Sequence, residues 1–296
     1  MRMLLTIGVL CLSSLPIFSQ AGSRLPGLQN SLITHNNDGS LTATVSIYSD
    51  PPLAAAILAI NQEYGWDINY EDAPTVNASE LVDNYAEFHR THPGFHEDIQ
   101  DGYSRKVQPF RSSFNELDER HADKDSVLEK VIHDYNESMN PGKFRLERTR
   151  QDGYVVVGSK YKSVSGIEVD YTPILSCSIS LYVPPSSLHD ALELVVDQVN
   201  KVCSNELHAT ISAKFAADDP GPLTSGDVSG NFRQESARDV VESLLWQEAG
   251  MMNYFVEYKA GINRFYLETW LAHRRIVGVD GNEILDPVLN SRVGSR

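Results

Sequence analysis

Apolar residues recur along this chain in two rhythms, and the rhythms follow one another in the same order twice. In "LTATVSIYS" (41–49), Ala43, Val45 and Ile47 alternate with polar residues, the period of a half-buried strand. In "PPLAAAILAINQEYG" (51–65), Leu53, Ala56, Ile57 and Ile60 fall on one helical face, and Gly65 marks the end of the helix. Alternation returns at Ile68 and Tyr70. Further on, "DSVLEKVIHDYNESMNPG" carries Val127, Leu128, Val131, Ile132 and Tyr135 at helical spacing. "KFRLERT" and "GYVVVGS" then read as two strands around the turn signal Gln151-Asp152-Gly153.

The second half repeats this order. "SCSISLYV" (176–183) is a strand, and Pro184-Pro185 turns the chain as Pro51-Pro52 does earlier. "SLHDALELVVDQVNKV" is a helix with Leu188, Ala191, Leu192, Val195, Val196 and Val199 on one face. "HATISAKF" is a strand, "VSGNF" a short strand and "SARDVVESLLWQEAG" a helix. "NYFVEYKAGINRFYLETW" is a hairpin turning at Ala260-Gly261. The reading is an α+β fold of two tandem helix–sheet modules, 41–162 and 170–270. Each runs strand, helix, strand, then helix, strand, strand. Residues 22–40 are polar and read as a flexible linker, and 276–296 as a flexible tail. Between the clear elements, "SELVDNYAEFHR" (79–90) has Leu81, Val82, Tyr85 and Phe88 at helical spacing and is read as a helix.

The N-terminus adds an address. Arg2, the apolar run Leu4–Leu12 and the small-residue site Ser19-Gln20-Ala21 have the order of a secretory signal peptide, residues 1–21. The expected location is the periplasm of a Gram-negative bacterium, with secretion the alternative. No transmembrane segment is expected after signal removal. The net charge of −15 argues against nucleic acid as a partner, because phosphate binding needs a basic face.

Removal of the signal would leave Cys177 and Cys203 of the three cysteines. A strand of about seven residues and the helix that returns beside it are matched in length, roughly 23 and 24 Å. That brings the two sulfurs together and favours a disulfide over two buried thiols.

"LAAAILAINQEYGWDINYED" and "ARDVVESLLWQEAGMMNYFVEYKAGINRFYLE" resemble the short N-terminal (STN-like) module of secretins and TonB-dependent receptors. The segment 125–158 follows the second part of that pattern more loosely. The resemblance covers roughly half of the chain, rests on hydrophobic pattern, and implies a periplasmic interaction module. The segment 73–124 is long for that family, and no channel or receptor barrel follows.

Candidate chemistry is sparse. "HRTHPGFHED" offers His89, His92 and His96 as zinc-type ligands, but Pro93-Gly94 prevents one continuous helix from presenting them. Asp50, Glu71, Asp72 and Glu80 offer carboxylates for acid–base work, a pattern that acidic proteins produce freely. No cofactor motif is present. The aromatic residues Trp66, Tyr70, Trp246, Tyr254, Tyr258 and Phe265 either fill a core between the halves or line a peptide-binding edge. The expectation is a non-enzymatic module binding an envelope protein or peptide. The alternatives are an exported, metal-dependent hydrolase and a small-ligand carrier binding between the modules.

Overall fold

The computed structural model describes residues 32–36, 41–84, 86, 90, 102–117, 121–151, 153–203, 208–215, 227–248, 251–277 and 283–287. The segment 1–21, expected to be a signal peptide, lies outside the described residues. Strands β1 (Leu32–Asn36) and β2 (Thr42–Ile47) lead into helix α1 (Pro52–Tyr64) and strand β3 (Ile68–Glu71). Then come β4 (Leu81–Asp83), β5 (Tyr103–Arg105), β6 (Phe110–Asn115), α2 (Lys124–Glu137), β7 (Lys143–Arg148) and β8 (Tyr154–Lys162). The second half holds β9 (Glu168–Asp170), β10 (Ser178–Ser186), α3 (Leu188–Val202), β11 (Thr210–Phe215), β12 (Val228–Ser236) and α4 (Ala237–Leu245). It ends in β13 (Met252–Lys259), β14 (Arg264–Leu271), β15 (His273–Val277) and β16 (Glu283–Pro287).

The class is α+β, and the two halves follow the same order of elements and of strand pairing. In the first, β2 pairs with β6, and a trio runs in the order β3-β8-β7. In the second, β10 pairs with β12, and the trio runs β11-β14-β13. The second helix of each unit repeats residue by residue. Val127, Leu128, Val131 and Ile132 stand at the same distances from the N-cap Asp123 as Val240, Val241, Leu244 and Leu245 from the N-cap Ser236, and all eight are buried. The first helices share a clasp. Asn61 donates to the Ile68 carbonyl at 2.8 Å, and Asn200 donates to the Ile211 carbonyl at 2.7 Å.

The trios join edge to edge through a parallel contact of β13 with β3, and with β9 paired to β8 they make one seven-stranded sheet. They do not stack face to face. Strand directions reverse from one trio to the next while their order is kept. A half-turn about an axis crossing the strands therefore relates the two units, and it puts their helices on opposite faces. Successive residues of β8 record this. Val156 packs in the core under α1 and α2, whereas Val155 and Val157 pack in the core under α3 and α4. β13 alternates in the same way, with Phe255 in the first core and Tyr254 and Val256 in the second.

Several local expectations change. Residues 81–83 form β4 paired with β5, not a helix. β10 runs through Pro184 and Pro185 to Ser186 with a register shift, so the prolines do not end it. The expected linker contains β1, paired with β2. The expected tail contains most of a hairpin, β15 with β16, and β15 lies against α1. Cys177 and Cys203 form a disulfide with Cα atoms 6.0 Å apart. No helix among the described residues is long and apolar enough to cross a membrane.

Candidate functional site: the seam and the open sheet edge

The join between the units is short in backbone and dense in side chains. Only Tyr70 with Phe255 and Glu71 with Val256 are in strand register. Beyond them, the Asp72 amide donates to the Val256 carbonyl at 2.9 Å. Side chains extend the ladder in both directions. Asn69 Oδ1 accepts from the Tyr254 amide at 3.0 Å, and Asp72 Oδ2 accepts from the Tyr258 amide at 3.1 Å.

Two ion clusters, one buried and one part-buried, lock this seam. Arg105, delivered by β5, grips both oxygens of Asp72 and donates to the Tyr258 carbonyl at 3.0 Å. The Tyr70 hydroxyl also donates to Asp72, at 2.9 Å. On the opposite face Arg238 makes two hydrogen bonds to Glu71, at 2.6 and 3.0 Å, and one to Glu147. The Tyr254 hydroxyl donates to Glu71 at 2.9 Å. Burial works against the Arg105 charge, but the Asp72 and Asp50 carboxylates outweigh it and hold the guanidinium well above its usual range. Burial and the Glu71 carboxylate together push Tyr254 up. Glu71 and Asp72, candidates for acid–base chemistry in the sequence, are held by arginines as part of the seam. Gly158 lets the chain cross closely at this point, because a Cβ there would lie 2.8 Å from the Ala73 backbone.

The aromatic candidates are mostly core. Tyr70, Tyr254, Tyr258 and Phe265 are 0–3 % exposed, so none of them offers a ring to a partner. Tyr70 sits between Phe144 and Phe255, with centroids 5.6 and 5.4 Å away, and Tyr258 packs on Phe265 at 4.9 Å. Helices of the two units cover the sheet faces, which removes the aromatic binding edge expected from these residues. Trp66 is half-buried, stacked on Tyr64 at 4.7 Å with Lys124 Nζ over its ring at 5.5 Å. Trp246 is half-buried at the rim of a cavity of about 30 Å³ between the units, lined also by Asp67, Asn69, Thr149, Glu242, Leu245, Met251 and Met252. Burial raises Glu242 to about 8 and Asp67 to about 6. His89, His92 and His96 lie outside the described residues. The metal-like group that converges among the described residues is His189, Asp190 and Glu193, all exposed on α3, where Asp190 also accepts from Ser187 at 2.8 Å.

Among the described residues, β11 and β7 end the sheet. They are chemically unlike. β7 reads KFRLER and is guarded by charges, the common protection of an edge strand. Its Phe144 backbone is clasped by Asn136. β11 reads TISAKF. Its Ile211 gives both backbone groups to Asn200, on the side away from β14. By the strand period, Ala213 and Phe215 present their backbone groups on that same outer side. The sequence missed this edge, because whether a strand is central or terminal depends on pairings with residues far away in the chain.

No family model, curated protein or solved structure matches this chain.

Proposed function

We propose that the protein is a non-enzymatic interaction module exported to the periplasm, and that it binds an extended segment of an envelope protein by strand addition along β11. The observation that carries this reading is the outer edge of β11. It stands where β3 stands in the first unit, and β3 is the edge that received β13. A strand can add there through backbone hydrogen bonds, with side-chain pockets giving selectivity.

A complete third unit is a poorer fit. Where the helices of the second unit cover Val155 and Val157 of the first, the matching positions of β14 are Tyr266 and Glu268. Glu268 is held by Lys214 at 2.8 Å. That polar surface suits solvent and a narrow occupant.

Two further points support an interaction role. The disulfide suits an oxidising compartment. In each unit a first helix and strand are followed by a second helix and a hairpin, the order on which the STN-like resemblance of the sequence rests. The carrier reading retains the cavity between the units, but about 30 Å³ suits one small group and not a cargo molecule.

The test is a photo-crosslinking residue at position 213, in cells of a Gram-negative host that carries the protein naturally. A discrete envelope protein should be captured, and proline at position 215 should abolish the capture by removing an outward amide. No capture, or equal capture from a crosslinker on the exposed face of α3, would overturn the reading.

A further inference from the structure

The cavity at the base of the seam is lined by two carboxyl groups with buried oxygens that lack hydrogen-bond partners. Glu242 is 4 % exposed, and neither of its carboxylate oxygens has a hydrogen-bond partner. Oδ1 of Asp67 is likewise buried and unpaired. Both residues line the same space, one from each unit. We propose that this cavity is a binding site for an alkylammonium group, its charge held by Glu242 and Asp67 and its carbon stem lying against Trp246, Met251 and Met252. The inference stands independently of strand addition at β11.

The lining selects the class of ligand. A buried carboxylate needs a partner of opposite charge or a proton. A divalent ion such as calcium takes six to eight oxygens, and no third metal-ligating side chain converges with these two among the described residues. An indole ring and two thioethers favour an organic cation over a hydrated metal ion. The cavity of about 30 Å³ has room for an ammonium head, and its open side admits a stem. The head could belong to a free aliphatic amine or to a lysine side chain, which share this chemistry.

Charge balance makes the site pH-dependent. The charged groups around Glu242 are Arg238, which favours its ionised form, and Asp67, Asp239 and Glu71, which oppose it. Lys124 faces Asp67. Burial dominates, so the empty site keeps a proton on Glu242 at neutral pH. An entering ammonium displaces that proton to solvent. Binding should therefore strengthen by about tenfold per pH unit below about 8 and level off above it.

The test is calorimetric titration of the full chain with n-butylammonium at pH 7 and pH 8.5, each in two buffers of different ionisation enthalpy. Saturable one-site binding is expected, with close to one proton released at pH 7 and fewer at pH 8.5. Glu242→Gln should weaken binding at least tenfold and abolish the proton release, and Asp67→Asn, which leaves Glu242 in place, should weaken it while keeping the release. n-Butanol should not bind. Nα-acetyl-lysine methylamide binding more tightly than n-butylamine would assign the site to a lysine of a peptide, and the reverse order to a free amine. Absence of saturable heat from both amines at pH 8.5 would overturn the proposal. So would unchanged binding in Glu242→Gln, or competition by sodium or potassium at the same concentrations.

Discussion

Arg105 and Asp72 meet inside the protein as a two-pronged ion pair, with side chains 5 % and 0 % exposed, and the same guanidinium reaches across the seam to the Tyr258 carbonyl. Removing one member of a buried pair leaves the other charge without compensation, at a cost of about 3–5 kcal/mol. Arg105→Met is expected to lose that much in urea unfolding. The double variant Arg105→Met, Asp72→Asn should lose clearly less than the sum of the two single variants. Additive losses would mean that the pair is not coupled.

Glu242 makes stability depend on pH. Burial, the largest cause, raises its folded-state pKa from 4.5 to about 8. Its contribution is therefore fully present below about 4.5 and is lost as pH rises toward about 8, because the unfolded chain ionises first. Glu242→Gln cannot ionise. Its melting temperature relative to the parent should rise steadily from pH 5 to pH 8, measured without added amine. A constant difference across that range would show that Glu242 is already ionised in the fold.

The disulfide closes a loop across a sequence separation of 26 residues, around β10 and α3. In the chain-entropy model such a loop stabilises the fold by about 3 kcal/mol. Reduction should lower stability by that order, measured by denaturant unfolding with and without reductant. Mass spectrometry of the unreduced protein should find no free thiol at Cys177 or Cys203.

Gly158 is fixed by crowding. A methyl group at this position would press on the N and Cα of Ala73 at 2.8 Å, and backbone cannot swing aside as a side chain can. Gly158→Ala is expected to cost about 1–3 kcal/mol, the range for overpacking a close contact. Gly166, where an added Cβ would meet only the Asn77 amide nitrogen, at 3.7 Å, but where φ is +86°, gives a comparison in which backbone conformation alone opposes the change.

Elements with strong local period were legible in the sequence. α2, α3 and α4 each carry an apolar stripe, and the burial of Val127, Val195 and Val240 follows it. The repeated order of elements was legible for the same reason. β4 was not, because Leu81 and Val82 fit a helical stripe and their strand state depends on pairing with Arg105 and Ser104. The seam was half visible. Adjacent carboxylates at Glu71 and Asp72 stand out in the sequence, but their cations lie 33 and 167 residues away, at Arg105 and Arg238. The aromatic residues of β13 and β14 signalled burial correctly in amount and ambiguously in kind, since a core and a binding edge use the same side chains. The Glu242 cavity left one trace, an acidic residue next to the apolar stripe of α4.

The half-turn join is a head-to-tail kind of contact. Two identical units meeting through unlike edges leave the same two edges vacant, so such a contact between separate chains does not close and would grow into a fibre. The two units of this chain differ at the positions that such a contact would use. Tyr266 and Glu268 now occupy places that Val155 and Val157 hold in the first unit, and Lys214 stands where Glu71 does. The apolar footing that a third unit would need is gone. The pair of units is therefore finite on the β11 side, although the kind of contact that joins it is open-ended.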